Sequence, residues 1–328
     1  MFESENRREP VRQDRASAAG RRPWLKHPLG AALLVVATAS GVAASEVSLQ
    51  KLDAAKVPWS ELGFRAKKLT FSATTKLSLA PASADAIRSA LLEPTEGAGI
   101  EPEDDRNLIL SLESSGLGRN STVKIWMDAD RAAAYQRDQL ETGKKERYRA
   151  YRLTGSGVSV ITHKPRKGEE NRPRSQWGDR SEKFDRYPEW TGRNLLVSEP
   201  AALFYLVAAS PLEKPGDRFQ VPMFSRGNLI LVQLQVTGTE KHKAEFTERN
   251  AGGGTRTVKE TLETLRVSVD ARALDPDSSE SDLEILGLRG DVVFLLDPRT
   301  RAPLEVSGQV PVVGTVKVRL QEIVLKRQ

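Results

Sequence analysis

From about residue 67 onward the chain alternates apolar and polar residues with a period of two, and this restricts it to β-structure. Leu69, Phe71 and Ala73, then Leu77 and Leu79, sit between polar neighbours. Leu108, Leu110 and Leu112 repeat the pattern, as do Val123, Ile125 and Met127. Successive side chains of a strand point to opposite faces, so each run places one face in a core and the other in water. Thr142-Gly143 and Gly155-Ser156-Gly157 separate strand-like runs at hairpin spacing, and glycine supplies the positive φ of tight turns. Residues 121–163 therefore read as a four-stranded antiparallel meander.

The second half repeats this order with longer runs at 217–225, 228–237, 241–248, 255–269, 291–296, 303–307 and 312–325. Arg226-Gly227 divides the first two, and Asn250-Ala251-Gly252-Gly253-Gly254 lies between the next two. That glycine run lacks a following Lys-Ser/Thr and a helix, so it reads as a hairpin tip and not as a phosphate loop. Two segments read as helix. Residues 83–92 carry Ser83 as a cap, and 198–209 combine Ser198 as a cap with Pro200 in the first turn. The run 201–208 is apolar nearly all round, which suits a buried helix plugging one end of a curved sheet. The expected fold is all-β and mainly antiparallel: one domain over 67–328, as a curved sheet or incomplete barrel with one buried helix. Residues 46–66 form a lead-in anchored by Val57, Trp59, Leu62 and Phe64.

Ahead of this domain stands an export address. Arg21-Arg22-Pro23-Trp24-Leu25-Lys26 precedes seventeen uncharged residues, 29–45, that end in Val42-Ala43-Ala44-Ser45. A basic flank, a short apolar stretch and a small-residue exit are the layout of a secretory signal. A membrane-spanning helix needs about 20 apolar residues, and this stretch is shorter and diluted by Gly30, Thr38, Ser40 and Gly41. Cleavage after Ala44 or Ser45 is the expectation; an uncleaved anchor and a buried helix are the alternatives. Arg21, Arg22, Trp24, Leu25 and Lys26 also resemble a twin-arginine motif, with Trp24 where phenylalanine is usual; a general secretory leader equally needs positive charge there. The export machinery is the expected partner during biogenesis, and a bacterial periplasm the expected destination.

Charge and cysteine content narrow the chemistry. Residues 1–45 hold seven Lys/Arg and four Asp/Glu, which leaves 43 basic and 40 acidic residues in the remainder. Interspersed signs describe a solvated surface and argue against a nucleic-acid partner. The absence of Cys rules out lipoprotein anchoring, disulfides and thiolate catalysis. The remainder of the chain has two histidines, His163 and His242, each read at a strand end and outside any helical His pair, so no metal site or cofactor is expected. Gly155-Ser156-Gly157 has no strand-to-helix elbow, so it is a turn and not a nucleophile. No catalytic residue is assigned. A carboxylate pair for glycan hydrolysis would be close in space and not in sequence, and stays an open alternative.

One internal echo links two strand ends. Ile125-Trp126-Met127-Asp128-Ala129-Asp130-Arg131-Ala132 and Phe294-Leu295-Leu296-Asp297-Pro298-Arg299-Thr300-Arg301-Ala302 both run from strand to aspartate, polar turn and new strand. An aspartate bonds its own backbone two residues on, so the echo reads as a structural turn in preference to paired catalytic acids. Residues 164–193 are the compositional anomaly, a long charged loop with nine Lys/Arg, six Asp/Glu and the aromatics Trp177, Tyr187 and Trp190. Those aromatics either stack on a ligand or fold back onto the sheet edge.

The strand–Asp–turn–strand segment at 125–135, the Arg- and Tyr-rich strand at 145–153, the apolar helix after a charged loop, and Asp297 to Gly308 before a final strand together resemble an uncharacterised family of exported bacterial proteins, domain of unknown function 3108. The resemblance covers residues 65–327. It implies a periplasmic, mainly antiparallel β protein, similar in style to the half-barrels that ferry lipoproteins, and it transfers no catalytic residues. The resulting expectation is a non-catalytic envelope protein that binds a lipid or other amphipathic molecule, with Phe204 and Leu206 on a helix serving as lid or plug. Trp177, Tyr187 and Trp190 are the further ligand-contacting candidates. An envelope assembly partner is the competing expectation, as is a simple packed core without a groove.

Overall fold

The computed structural model describes residues 51–68, 71–116, 118–191, 195–275, 283–311 and 313–327. The export motif and the exit at Ala44 and Ser45 lie outside the described residues. The chain forms two up-and-down meanders. The first contains β1 (Trp59–Lys68), β2 (Phe71–Ala82), β3 (Asn107–Gly116), β4 (Arg119–Asp128), β5 (Ala134–Gly143), β6 (Arg147–Thr154), β7 (Gly157–Lys164) and β8 (Asp179–Arg186). The second contains β9 (Arg218–Ser225), β10 (Asn228–Asn250), β11 (Thr255–Ala273), β12 (Arg289–Leu296), β13 (Pro303–Val310) and β14 (Gly314–Leu325). Antiparallel pairing of β1 with β14 joins them into one fourteen-stranded sheet whose ends are β8 and β9.

The sheet is not a closed barrel, yet it curves until its last strand, β9, approaches β5 and β6 near the other end. The Tyr151 ring on β6 lies 6.4 Å from that of Phe224 on β9. Residues 197 and 198 bridge the seam. The Ala134 N–H donates to the Val197 carbonyl, and the Ser198 N–H to the Pro222 carbonyl on β9. A second closure is local: the far half of β10 pairs in parallel with β14 from Thr247↔Glu322 to Asn250↔Leu325.

Inside the curve lies α2 (Leu203–Ala209), entered through a 3-10 turn at Pro200–Ala202. Every residue of α2 is buried, as expected of a helix apolar on all sides. Phe204 packs between Phe64 and Phe294, with ring centroids 5.4 and 5.6 Å away. The shorter α1 (Ala84–Arg88) is capped by the Ser83 hydroxyl, as anticipated, and its Ile87 covers Trp126 and Tyr135 on the outer face.

The two echoed turns are structural, and they match. Asp128 N–H donates to Ala133 and Asp297 N–H to Ala302; Ala132 N–H returns to Asp128 and Arg301 N–H to Asp297. Ala132 and Arg301 hold the same left-handed φ, 53° and 54°. Both turns grip α2. The Tyr205 hydroxyl donates to the Ala129 carbonyl at 2.5 Å. From the other turn the Arg301 guanidinium donates to the carbonyls of Val207, Ala208, Ser210 and Leu212 at 2.6–3.0 Å.

Four expectations are corrected. The lead-in at 46–66 contains most of β1, the strand that joins the meanders. Part of the charged loop 164–193 is the edge strand β8, whose residues are charged on both faces and so show no alternation. Gly157 admits it, since a Cβ there would stand 2.5 Å from the Asp185 carbonyl oxygen. Residues 228–237 and 241–248 are one strand, β10, with a register shift at Gly238, so His242 lies mid-strand. Ser198 does not cap the helix: Glu199 caps the 3-10 turn and Ala202 precedes α2, neither with a side-chain cap bond, while Ser198 serves the seam through its backbone.

Arg301 is 7% exposed, so its removal strands the carbonyls of Val207, Ala208 and Leu212 where water does not reach, while Ser210 keeps the Leu212 N–H. Arg301→Met is expected to destabilise the protein by about 3 kcal/mol or more in urea denaturation. A loss below about 1 kcal/mol would show that the helix end does not depend on this side chain.

Candidate functional site

A broad concave surface lies outside the curve, on the face of β1 and β14 opposite the helix. Phe64, Ala66, Val318 and Leu320 face the core, which by alternation turns Arg65, Lys67, Lys317 and Arg319 outward. A first cavity of about 780 Å³ spreads over β1 to β4, with Thr74, Lys76, Glu113, Ser115, Asn120 and Thr122 among its lining. A second, of about 390 Å³, is lined by Arg65, Lys67, Lys68, Thr315, Lys317, Arg319 and Gln321. A third, of about 330 Å³, runs between His242–Phe246 of β10 and Arg319–Gln321.

Shared residues make these one trough. Gln321 lines all three cavities, Arg65 the first two, and Arg319 the second and third. The cause is a bulge: β14 carries Gln321 as an extra residue between the pairs Gly63↔Glu322 and Phe64↔Leu320. An extra residue bends its strand and redirects its side chain. At the same level β14 leaves β13 and takes up β10, which opens space on both sides.

Electrostatics divide the trough. In the larger cavity carboxylates are tied to cations, Glu61 to Lys76 at 2.9 Å and Glu322 to Arg249 at 2.8 Å. The hydrogen bond that Lys76 donates to Glu61 raises the lysine above its ordinary value. Beside the basic cavity, Glu305 is nearly buried and ion-paired with Lys317 and Arg319, each at 2.9 Å. Burial alone would raise the Glu305 pKa, but the hydrogen bonds from Lys317 and Arg319 outweigh it and bring it below the ordinary value.

A second polar feature lies in the seam. Glu199 is fully buried, with Arg137 Nη1 on β5 3.4 Å from its Oε2. Tyr187 contributes its hydroxyl from the end of β8, and the Tyr151 ring lies beneath the Arg137 guanidinium at 5.0 Å. Arg137 Nε, Tyr187 OH, Ser198 Oγ and Glu199 Oε1 are buried without a hydrogen-bond partner among the described residues. Burial raises the Glu199 pKa to about 7 against the weaker pull of Arg137. Burial, and then the charge of Glu199, push the Tyr187 phenol up as well.

The residues singled out from sequence lie elsewhere. Phe204 and Leu206 are fully buried in the core, and neither lines the three cavities. Trp177 folds onto Tyr148, Ala150 and Ile161, with its indole N–H on the Arg172 carbonyl at 3.1 Å. Tyr187 belongs to the main core, so both aromatics pack against the sheet. The side chain of Trp190 lies outside the described residues. His163 stands edge-on to Tyr148. No three His, Asp or Glu side chains gather as a metal site among the described residues. The trough itself escaped the sequence reading. Its one signal was the pair of basic alternations, Arg65-x-Lys67 and Lys317-x-Arg319.

No known protein family, curated protein or solved structure matches this chain.

The seam carboxyl has a consequence for stability. Below about pH 4.5 folded and unfolded chains both carry the Glu199 proton, and between 4.5 and 7 only the folded chain does. The folded state then binds more protons, so stability falls as pH rises through that window, by up to about 3 kcal/mol. Glu199→Gln is expected to flatten this slope and to be the more stable protein above pH 7. Urea midpoints measured across pH 4 to 8, taken as about that range, check it; parallel curves for both proteins would refute it.

Proposed function

We propose that this is an exported, non-catalytic binding protein of the bacterial cell envelope, and that it recognises the polar part of an amphipathic envelope molecule in the outer trough. The observation that carries this reading is the filled interior. With α2 packed between Phe64 and Phe294, the concave side of the sheet is occupied by the protein's own side chains. The large concavity is on the other face and is polar, of a volume suited to a small-molecule site. Export is supported by the arrangement of residues 21–45 and by the resemblance to exported proteins.

The non-catalytic part rests on where the acids are. Of the trough acids, Glu61 and Glu322 are engaged in ion pairs and Glu113 stands opposite Lys76 in the β2–β3 register, while the carboxyl whose pKa approaches 7, Glu199, is sealed in the seam. A hydrolytic acid needs both a raised pKa and access to substrate. An assembly partner is the second reading, favoured by the position of β8 at the sheet end with most of its residues exposed. Co-purification lost on removing charges from β8 would favour it.

The protein recovered from its own host is expected to begin near Ala44 or Ser45 by N-terminal sequencing. Native mass spectrometry is expected to show a polar-headed ligand released by high salt. Phe204→Ala is expected to cost about 3–5 kcal/mol in stability while leaving the ligand bound. A ligand lost with Phe204→Ala in a still-folded protein would move the site to the interior and overturn this reading.

A further inference from the structure

We infer that the trough is a bipartite site for a phosphate-bearing saccharide, with the sugar over the hydroxyl-rich floor of β2 to β4, where Lys76 and Glu113 offset each other, and the phosphate at the basic end. This rests on the reading of the trough as the ligand site and adds the class of ligand.

The basic end collects Arg65, Lys67, Lys68, Lys317 and Arg319 around about 390 Å³, with Thr315 and Gln321 as the neutral lining. Local acids do not balance it. Glu305 answers Lys317 and Arg319. Lys68 Nζ donates to the Val313 and Thr315 carbonyls, each at 2.6 Å. Arg65 and Lys67 have no ion pair among the described residues. Arg65 also stands directly opposite Arg319 in the β1–β14 register, and like charges placed so destabilise a sheet. A bound dianion removes that repulsion. A phosphoryl group brings close to two charges and three acceptor oxygens, and a guanidinium fork matches its geometry.

The larger cavity differs in chemistry. Thr74, Ser115, Asn120 and Thr122 present hydroxyls and an amide, which exchange hydrogen bonds with a polyol as donors and acceptors. Among the described lining residues the aromatic, Phe64, is turned into the core, so the floor offers a nucleobase no stacking face. Arg65 and Gln321 belong to both cavities, so one ligand reaches both ends.

The test is calorimetric titration of the mature protein with glucose 6-phosphate, glucose and inorganic phosphate. A parallel arm uses phosphatidylcholine vesicles with and without phosphatidylinositol. Glucose 6-phosphate is expected to bind about tenfold or more tightly than glucose or inorganic phosphate, and to weaken with added salt. Arg65→Gln with Lys67→Gln is expected to lower that affinity about tenfold or more without lowering the melting temperature. Thr74→Val with Ser115→Ala is expected to reduce it toward that of inorganic phosphate. Binding confined to phosphatidylinositol vesicles assigns the site to a lipid headgroup and supports the inference; binding to the soluble sugar phosphate assigns it to a free saccharide. Inorganic phosphate binding as tightly as glucose 6-phosphate overturns it, as does affinity unchanged in the Arg65/Lys67 variant. A phosphate-free ligand recovered from the host would refute this inference and leave the binding reading standing. An interior ligand sensitive to Phe204→Ala would remove both.

Discussion

A helix buried on every side has no solvent for its last carbonyls, and here one guanidinium supplies what water would. The last four carbonyls of a helix lack partners within it. At the end of α2 they lie in the core: Arg301 meets those of Val207 and Ala208, together with those of Ser210 and Leu212 just beyond, while Leu206 accepts from Ser210 N–H and Ala209 from Asp53 N–H. Burial lowers the Arg301 pKa, yet the side chain stays charged at any physiological pH because guanidinium starts so high. Without that contact the buried end of the helix would carry the desolvation cost of unpaired carbonyls.

The same turn explains why the two meanders form one body. Asp297 organises its loop by accepting from Arg299 N–H and from the Thr300 hydroxyl, and this places Arg301 in its left-handed conformation facing inward. Asp128 does the same at the end of β4, accepting from Arg131 N–H. There the product is the exposed carbonyl of Ala129, which receives Tyr205. One turn therefore acts as acceptor and the other as donor, and α2 is held from both meanders. Leu52 and Asp53 complete the clamp, their N–H groups donating to Asp130 and Ala209.

What the sequence disclosed follows from where apolar residues alternate. Strands with one wet and one dry face, such as β3 with Leu108, Leu110 and Leu112, were legible, as was α2 from its unbroken apolar run. β8 was not, because an edge strand guarded by Asp179, Arg180, Glu182, Lys183, Asp185 and Arg186 has no dry face to announce it. β1 was half legible: Leu62, Phe64 and Ala66 alternate, but the shift between Trp59 and Glu61 breaks the pattern at its start. The trough was the hardest part. It depends on the bulge at Gln321 and on which strands become neighbours, and neither property is local in sequence.

Filling the interior decides where open concave surface remains. Small half-barrels that enclose a ligand keep the concave face open, and specificity then comes from apolar shape. In this chain α2 takes that position, so the main open concavity lies on the convex side, where alternation delivers polar residues by default. A convex sheet is ordinarily too flat to surround anything. The departure of β14 from β13 toward β10 breaks that flatness, and the bulge at Gln321 deepens it at the point where Arg65 and Arg319 converge. The helix inside and the trough outside are thus two results of one topology: an open sheet that closes on its own segment and leaves its charged face outward.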